Sequence, residues 1–220
     1  MPDGCLRRPL PDAPLAPAEA AGLAVRVVAP PAFLALASVL ARAFEAPQLI
    51  EAIAAAPGGI EALVMEWSDP DKIVVTVGWT LIADRDAAAA FATSVRATRR
   101  SSHGLTAIGS ALLAAGAAFD RMPEPAGHKV IDVSGDGMAN FGVSPIEARD
   151  ALVKKGITIN GLAILSEEPW LDDYYRSNVI GGPSAFVIVA KTYESFAEAM
   201  LRKLVQEVAS GPRAVHAQAR

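Results

Sequence analysis

Lys129-Val130-Ile131-Asp132-Val133-Ser134-Gly135-Asp136-Gly137 is an apolar run that ends in acidic residues flanked by glycine. Val130, Ile131 and Val133 place strand formers on both faces, as expected of a parallel strand covered by helices on each side. Asp132, Ser134 and Asp136 follow at alternate positions, and Gly137 then allows a sharp exit. Ligands of open α/β sheets bind beyond the carboxyl ends of the strands. Asp136 is therefore the first functional candidate.

Downstream, Ser144-Pro145-Ile146-Glu147 has the pattern of a helix start: serine at the cap, proline at the first helical position and glutamate three residues after the cap. Lys154-Lys155-Gly156 suits the end of that helix, and Ile157 to Leu165 reads as the next strand. Such a strand, helix, strand unit is nearly always a right-handed parallel crossover. Glu167 to Ser177, with Trp170, Tyr174 and Tyr175, reads as a short helix and loop on the surface. Ala185 to Val189 is expected to be the last strand. Thr192 is expected to cap a final helix whose apolar positions Phe196, Met200, Leu204 and Val208 recur near helical period.

Upstream, Thr106 to Phe119 is a helix of Ala, Gly and Leu able to lie very close to a sheet. Glu61 to Trp67 and Ile73 to Trp79 form an antiparallel hairpin across the turn Ser68-Asp69-Pro70-Asp71-Lys72. Asp84 to Ala97 is helical, with Asp84 and Asp86 at its positive end. Ala32 to Phe44 and Pro47 to Ala56 are two further helical pieces, and Leu23 to Ala29 is a candidate strand with Arg26 in its middle. The fold class is α/β with one antiparallel edge hairpin.

A chain of 220 residues suits one such domain plus a tail. Its net charge of -4 leaves no basic stripe for nucleic acid, which is excluded as a partner. The single Cys5 excludes an intramolecular disulfide framework. Mean hydropathy is +0.30, yet no window reaches the roughly 18 apolar residues of a membrane span. Arg7 and Arg8 lead into Pro9, Pro11, Pro14 and Pro17 rather than into an apolar segment, so the chain as written shows no export signal and is cytoplasmic by default.

Several stretches carry a resemblance: Trp79-Thr80-Leu81-Ile82, Thr106-Ala107-Ile108-Gly109, Ile131 to Gly137, Ala148-Arg149-Asp150, Gly156 to Leu162, and Tyr174-Tyr175 followed by Val179-Ile180-Gly181-Gly182-Pro183. In their order they resemble a bacterial family of von Willebrand factor type A-like proteins, domain of unknown function 1194, over residues 43–210. The resemblance implies a doubly wound, mostly parallel sheet with helices on both faces. It also implies a metal-ion-dependent adhesion site at the carboxyl edge, with Thr106 as second-loop threonine and Asp136 as third-loop aspartate. Mg²⁺ or Mn²⁺ would be the ion, a protein offering an acidic side chain the partner, and binding rather than catalysis the function, in relatives that are exported. Mg²⁺ favours such hard oxygen ligands and leaves a position open for a partner's carboxylate.

The family's Asp-x-Ser-x-Ser loop is absent near residues 23–35, where Pro30-Pro31-Ala32-Phe33 stands instead, so the metal site is incomplete. Residues 1–42 form an atypical leader rich in Pro and Ala, with a polar tail at 211–220. Asp136 is open to a second reading as a loop cap, and Thr106 as a helix N-cap. Asp132 and Ser134 read first as structural hydrogen-bonding groups. Asp132-x-Ser134-x-Asp136-Gly137 also mimics the start of a calcium loop, but Val143 stands where a glutamate is needed. Gly135-Asp136-Gly137 with Asn160 is similar to a thiamine diphosphate signature, which lacks its second asparagine here. The alternatives to a binding module are thus a small cofactor- or metal-dependent enzyme using the Asp136 loop, or a degenerate copy without a competent site. His103, His128 and His216 share no metal-ligand spacing. Because the family match begins abruptly, a frame-shifted or mis-started translation is expected to account for residues 1–42. Reading the other frames of the encoding DNA upstream of codon 43 checks this: an Asp-x-Ser-x-Ser should appear there, and its absence removes the explanation.

Overall fold

In a computed structural model that describes residues 21–28, 33–99, 104–123 and 126–210, the polypeptide alternates strands and helices as a doubly wound unit must. The order is β1 (Ala21–Val28), α1 (Phe33–Glu45), α2 (Pro47–Ala54), β2 (Ile60–Trp67), β3 (Ile73–Ile82), α3 (Arg85–Ala97), α4 (Ile108–Ala118), β4 (Lys129–Gly135), α5 (Pro145–Val153), β5 (Ile157–Ile164), α6 (Leu171–Tyr174), β6 (Val187–Ala190) and α7 (Tyr193–Ala209). One six-stranded sheet has the order β3-β2-β1-β4-β5-β6. All neighbours in it are parallel except β2 and β3, which form the expected antiparallel edge hairpin.

Burial on both faces explains why β2, β4 and β5 read as continuous apolar runs rather than alternating ones. Leu40, Phe44, Leu49, Ile53, Phe91, Val95, Phe196 and Met200 from α1, α2, α3 and α7 cover one face, against Val64, Val130, Leu162 and Ile164. Ile108, Leu112, Ala115, Leu152 and Leu171 from α4, α5 and α6 cover the other, against Leu63, Met65, Ile131, Val133 and Ile159. Neighbouring residues of β4 therefore belong to opposite cores, as the two-residue period of a strand requires. No helix among the described residues is long and apolar enough to cross a membrane.

Some local expectations shift. β1 begins at Ala21 rather than Leu23, β3 continues to Ile82, and the last strand starts at Val187. Ser144 occupies the N-cap of α5, but its side chain makes no capping bond; Pro145 alone fixes the entry. Thr192 does cap α7, in a reciprocal box with Ser195. The stretch read as a surface loop continues from α6 into a π-helical turn, Tyr175–Val179, and Tyr175 is fully buried. Residues 1–20 of the leader, Pro30 and Pro31, and the tail at 211–220 lie outside the described residues.

A chain of buried charge crosses the first face. Asp132 of β4 stands in register with Asn160 of β5, and both face α7. Lys203 is fully buried, with Nζ 2.7 Å from Asp132 Oδ1 and a second ion pair to Glu207 Oε1. Asn160 Nδ2 donates to the same Glu207 oxygen at 2.9 Å. Removing one partner of a buried pair strands the others in low dielectric, so Lys203→Ala should lower stability by about 3–5 kcal/mol in urea titrations. Arg202, which pairs with Glu198 at 3.9 Å on an open surface, should tolerate alanine within about 0.5 kcal/mol.

Candidate functional site

The parallel strands β1, β2, β4 and β5 deliver their following loops to one edge of the sheet, and Asp136 stands at that edge as the first residue beyond β4, half-buried. Thr106 reaches the same edge from the loop before α4. It is not the cap of α4: that position is Ala107, and no side chain caps the helix. The structure joins the Thr106 loop to the Asp136 loop through Asn140. Thr106 N donates to Asn140 Oδ1 at 2.8 Å, and Asn140 N donates to Thr106 O at 3.1 Å.

Further bonds pin the same loops. Val143 N donates to Ser110 Oγ at 3.3 Å, and Ala139 N donates to the Tyr174 hydroxyl at 3.2 Å. Leu105 N donates to Asp69 Oδ1 at 2.7 Å, and Ala107 N donates to Ser68 O at 3.0 Å, which ties in the hairpin turn. Gly109 is required by this closeness: a Cβ there would lie 2.1 Å from Val143 O. The segment from Asp136 to Ser144 thus runs as an anchored loop. Met138, Phe141 and Val143 on it are exposed, as are Leu105, Ile146 and Trp170 around it.

The other sequence candidates fall elsewhere. Asp132 and Ser134 are fully buried within β4, Asp132 beneath α7 at Lys203. Trp170 is 45% exposed, Tyr174 half-buried, and Tyr175 inaccessible. The Tyr175 phenol is pushed well above its ordinary pKa, first by burial and then by the charge of Asp136, so it stays neutral. His128 lies before β4, at the opposite edge; His103 and His216 are outside the described residues. Asn140 and Ser110, which hold the edge together, carried no sequence signal, and Asp69 read only as a turn residue, because their bonds are made to backbone far along the chain.

A family model described as a protein of unknown function, DUF1194, matches residues 37–212. The chain belongs to the DUF1194 family. No curated protein sequence matches it. Among solved structures, this DUF1194 chain is similar to the von Willebrand factor domain of the type V pili tip protein Mfa5 from Porphyromonas gingivalis, with a TM-score of 0.58, 10% identity, and coverage of 86% of this chain and 95% of that one. It is also similar to the pilus adhesin SpaC from Lactobacillus rhamnosus GG, with a TM-score of 0.60, 11% identity, and coverage of 84% and 30%. The third is proximal thread matrix protein 1 from the mussel byssus, in a structure with a zinc-occupied MIDAS motif, with a TM-score of 0.57, 12% identity, and coverage of 87% and 49%. The chain thus spans about half of the mussel protein's length. At these identities the likeness establishes the von Willebrand factor A fold.

Whether the DUF1194 edge suits a divalent ion turns on its donors. Thr106 Oγ1 and the Asp136 carboxylate are two oxygen donors, and Asn140 Oδ1 accepts from Thr106 N. Among the described residues no group of three or more His, Cys, Asp or Glu could hold a metal. Mg²⁺ takes near-octahedral oxygen coordination largely completed by waters, and of the ligand set the resemblance implies, the chain carries Thr106 and Asp136 but not the Asp-x-Ser-x-Ser loop. The anchoring itself is directly measurable. Asn140→Ala should cost about 1 kcal/mol and speed hydrogen exchange at the Thr106 amide, while exchange in β5 stays unchanged.

Proposed function

We propose that this chain is a non-catalytic protein-binding module of von Willebrand factor A type, which meets its partner at the carboxyl edge of the sheet. The observation that carries this reading is the anchored loop from Asp136 to Ser144. It holds Met138, Phe141 and Val143 in solvent beside Leu105, Ile146 and Trp170. Exposed apolar side chains gathered at one end of a domain mark interaction surfaces. A loop already fixed by hydrogen bonds loses little freedom on docking. The adhesin and pilus-tip structures named above support a contact role for this fold. The metal-ion-dependent site is incomplete here, so contact rests on the apolar rim, with Asp136 and Thr106 as polar groups at its centre.

Two measurements test this. Thermal melting of the 220-residue chain with millimolar Mg²⁺ or Mn²⁺ should show no shift, in the parent or in Asp136→Ala. Selective binding to the folded state would add about 2.7 kcal/mol at a hundredfold excess over Kd, so a bound ion would be visible. A shift in the parent that is lost in the variant would overturn the apolar-rim reading in favour of cation-mediated capture. In crosslinking with the extract of its own cells, a protein retained by the parent should be lost from Phe141→Asp and Trp170→Asp. The same protein should be kept by Val74→Asp, on the exposed part of β3. Equal retention by all three variants overturns the placement of the surface.

A further inference from the structure

The loop from Asp136 to Ser144 does not stand alone at the carboxyl edge. β5 runs parallel to β4, so the connection that leads from Leu165 into α6 emerges beside it. The Tyr174 hydroxyl, which accepts from Ala139 N at 3.2 Å, fastens α6 to that loop. Met138 and Phe141 on the loop and Trp170 at the start of α6 are exposed.

The charge on this side of the edge has one sign. Residues 136–150 and 165–176 hold seven carboxylates and two guanidinium groups, a net charge of -5, where the whole chain carries -4. Both guanidinium groups are engaged within the same segments. Arg149 Nε donates to Asp150 Oδ1 and its Nη1 to Ser177 O, each at 2.8 Å, and Arg176 Nε lies 3.9 Å from Asp172 Oδ2. Glu147, Glu167 and Asp173 are exposed. The basic residues Lys72 and Arg99 belong instead to the hairpin turn and to the connection between α3 and α4, and Lys72 is paired with Asp69 at 2.6 Å.

Two separate properties of this surface select the same kind of partner. Complementary charge speeds and orients docking, whereas like charges set against one another oppose it. Exposed aromatic faces attract ammonium and guanidinium groups through the ring quadrupole, and Trp does so best. Met138 and Phe141 in turn match apolar side chains rather than a purely polar segment. The sign is opposite to the one that a metal-bound edge implies, where a divalent ion receives the partner's carboxylate. With the Asp-x-Ser-x-Ser loop absent, an acidic partner would meet a surface that is itself acidic.

We propose, resting on the reading of this edge as a contact surface, that the partner presents a cationic amphipathic segment. Its apolar side chains cover Met138, Phe141 and Trp170, and its Lys or Arg side chains meet Glu147, Glu167 and Asp173.

The test is fluorescence anisotropy of labelled octapeptides titrated with the full chain. One peptide alternates Lys pairs with Leu-Phe pairs, a second has glutamate in place of lysine, and a third has serine in place of leucine and phenylalanine. Only the first should bind, and about tenfold more weakly in roughly 0.5 M than in roughly 0.05 M sodium chloride. Its affinity should fall at least about tenfold in the double variant Glu167→Lys with Asp173→Lys, whose positions are exposed. Glu51→Lys with Glu198→Lys makes the same change of net charge on exposed positions of α2 and α7, and should bind like the parent. Phe141→Ser, which removes the ring and leaves the charge unchanged, should lose the peptide. Equal binding of the glutamate or the serine peptide, undiminished binding in Glu167→Lys with Asp173→Lys, or no binding of the first peptide at about 1 mM overturns the cationic amphipathic partner. If Phe141→Ser loses a bound peptide while the Glu167 and Asp173 variant keeps it, the contact surface stands and only the sign of its partner falls. Undiminished binding in Phe141→Ser removes the surface as well.

Discussion

A fully buried ammonium, Lys203, is held between the carboxylates of Asp132 and Glu207, and the arrangement of the sheet depends on it. Charges leave water only when geometry compensates them, so displacement of α7 from β4 would strand ions in an apolar interior. The consequence is a fixed relation between the last helix and a central strand. β4 carries Asp132 in its interior and Asp136 just past its end. The seat of α7, the position of β4 and the aim of the Asp136 loop are therefore one problem with one solution. Apolar packing by Phe196, Met200 and Leu204 supplies the area, and the ions supply the register.

Parallel strands separate the molecule's chemistry into two edges. At the carboxyl edge, the loops are tied to one another mainly by backbone N–H groups donating to Asn140, Asp69, Ser110 and Tyr174. Polar groups are consumed inward there, which leaves apolar side chains facing solvent. At the amino edge Phe186, Val130, Thr158, Asn160 and Glu207 wall a small cavity, and the polar groups of Asn160 are paired with Glu207 and with the Phe186 backbone. The first edge presents an apolar rim to solvent, and the second encloses a small cavity beside the buried ions. Both arise from the same strands read in opposite directions.

The sequence alone determined the strands, the hairpin, most helices, and the candidacy of Asp136, because those depend on local spacing. A strand buried on both faces needs a mostly apolar run, and Val130 to Val133, interrupted by Asp132, and Ile157 to Leu165, interrupted by Thr158 and Asn160, supply two. The resemblance carried by Ile131 to Gly137 and Val179 to Pro183 brought the doubly wound architecture and the place of Thr106. Lys203 and Glu207 were legible in principle: they lie one turn apart on the same stripe as Phe196 and Met200. A helical period places residues on a face, but it does not say whether a charged member of that face meets a counter-ion. Only the tertiary structure decided that Lys203 finds Asp132, that Tyr175 is buried, that Asn140 bridges two loops, and that a cavity forms beside Glu207. Each of these depends on groups far apart in sequence meeting at hydrogen-bonding distance, and burial and electrostatics act on that distance rather than on separation along the chain.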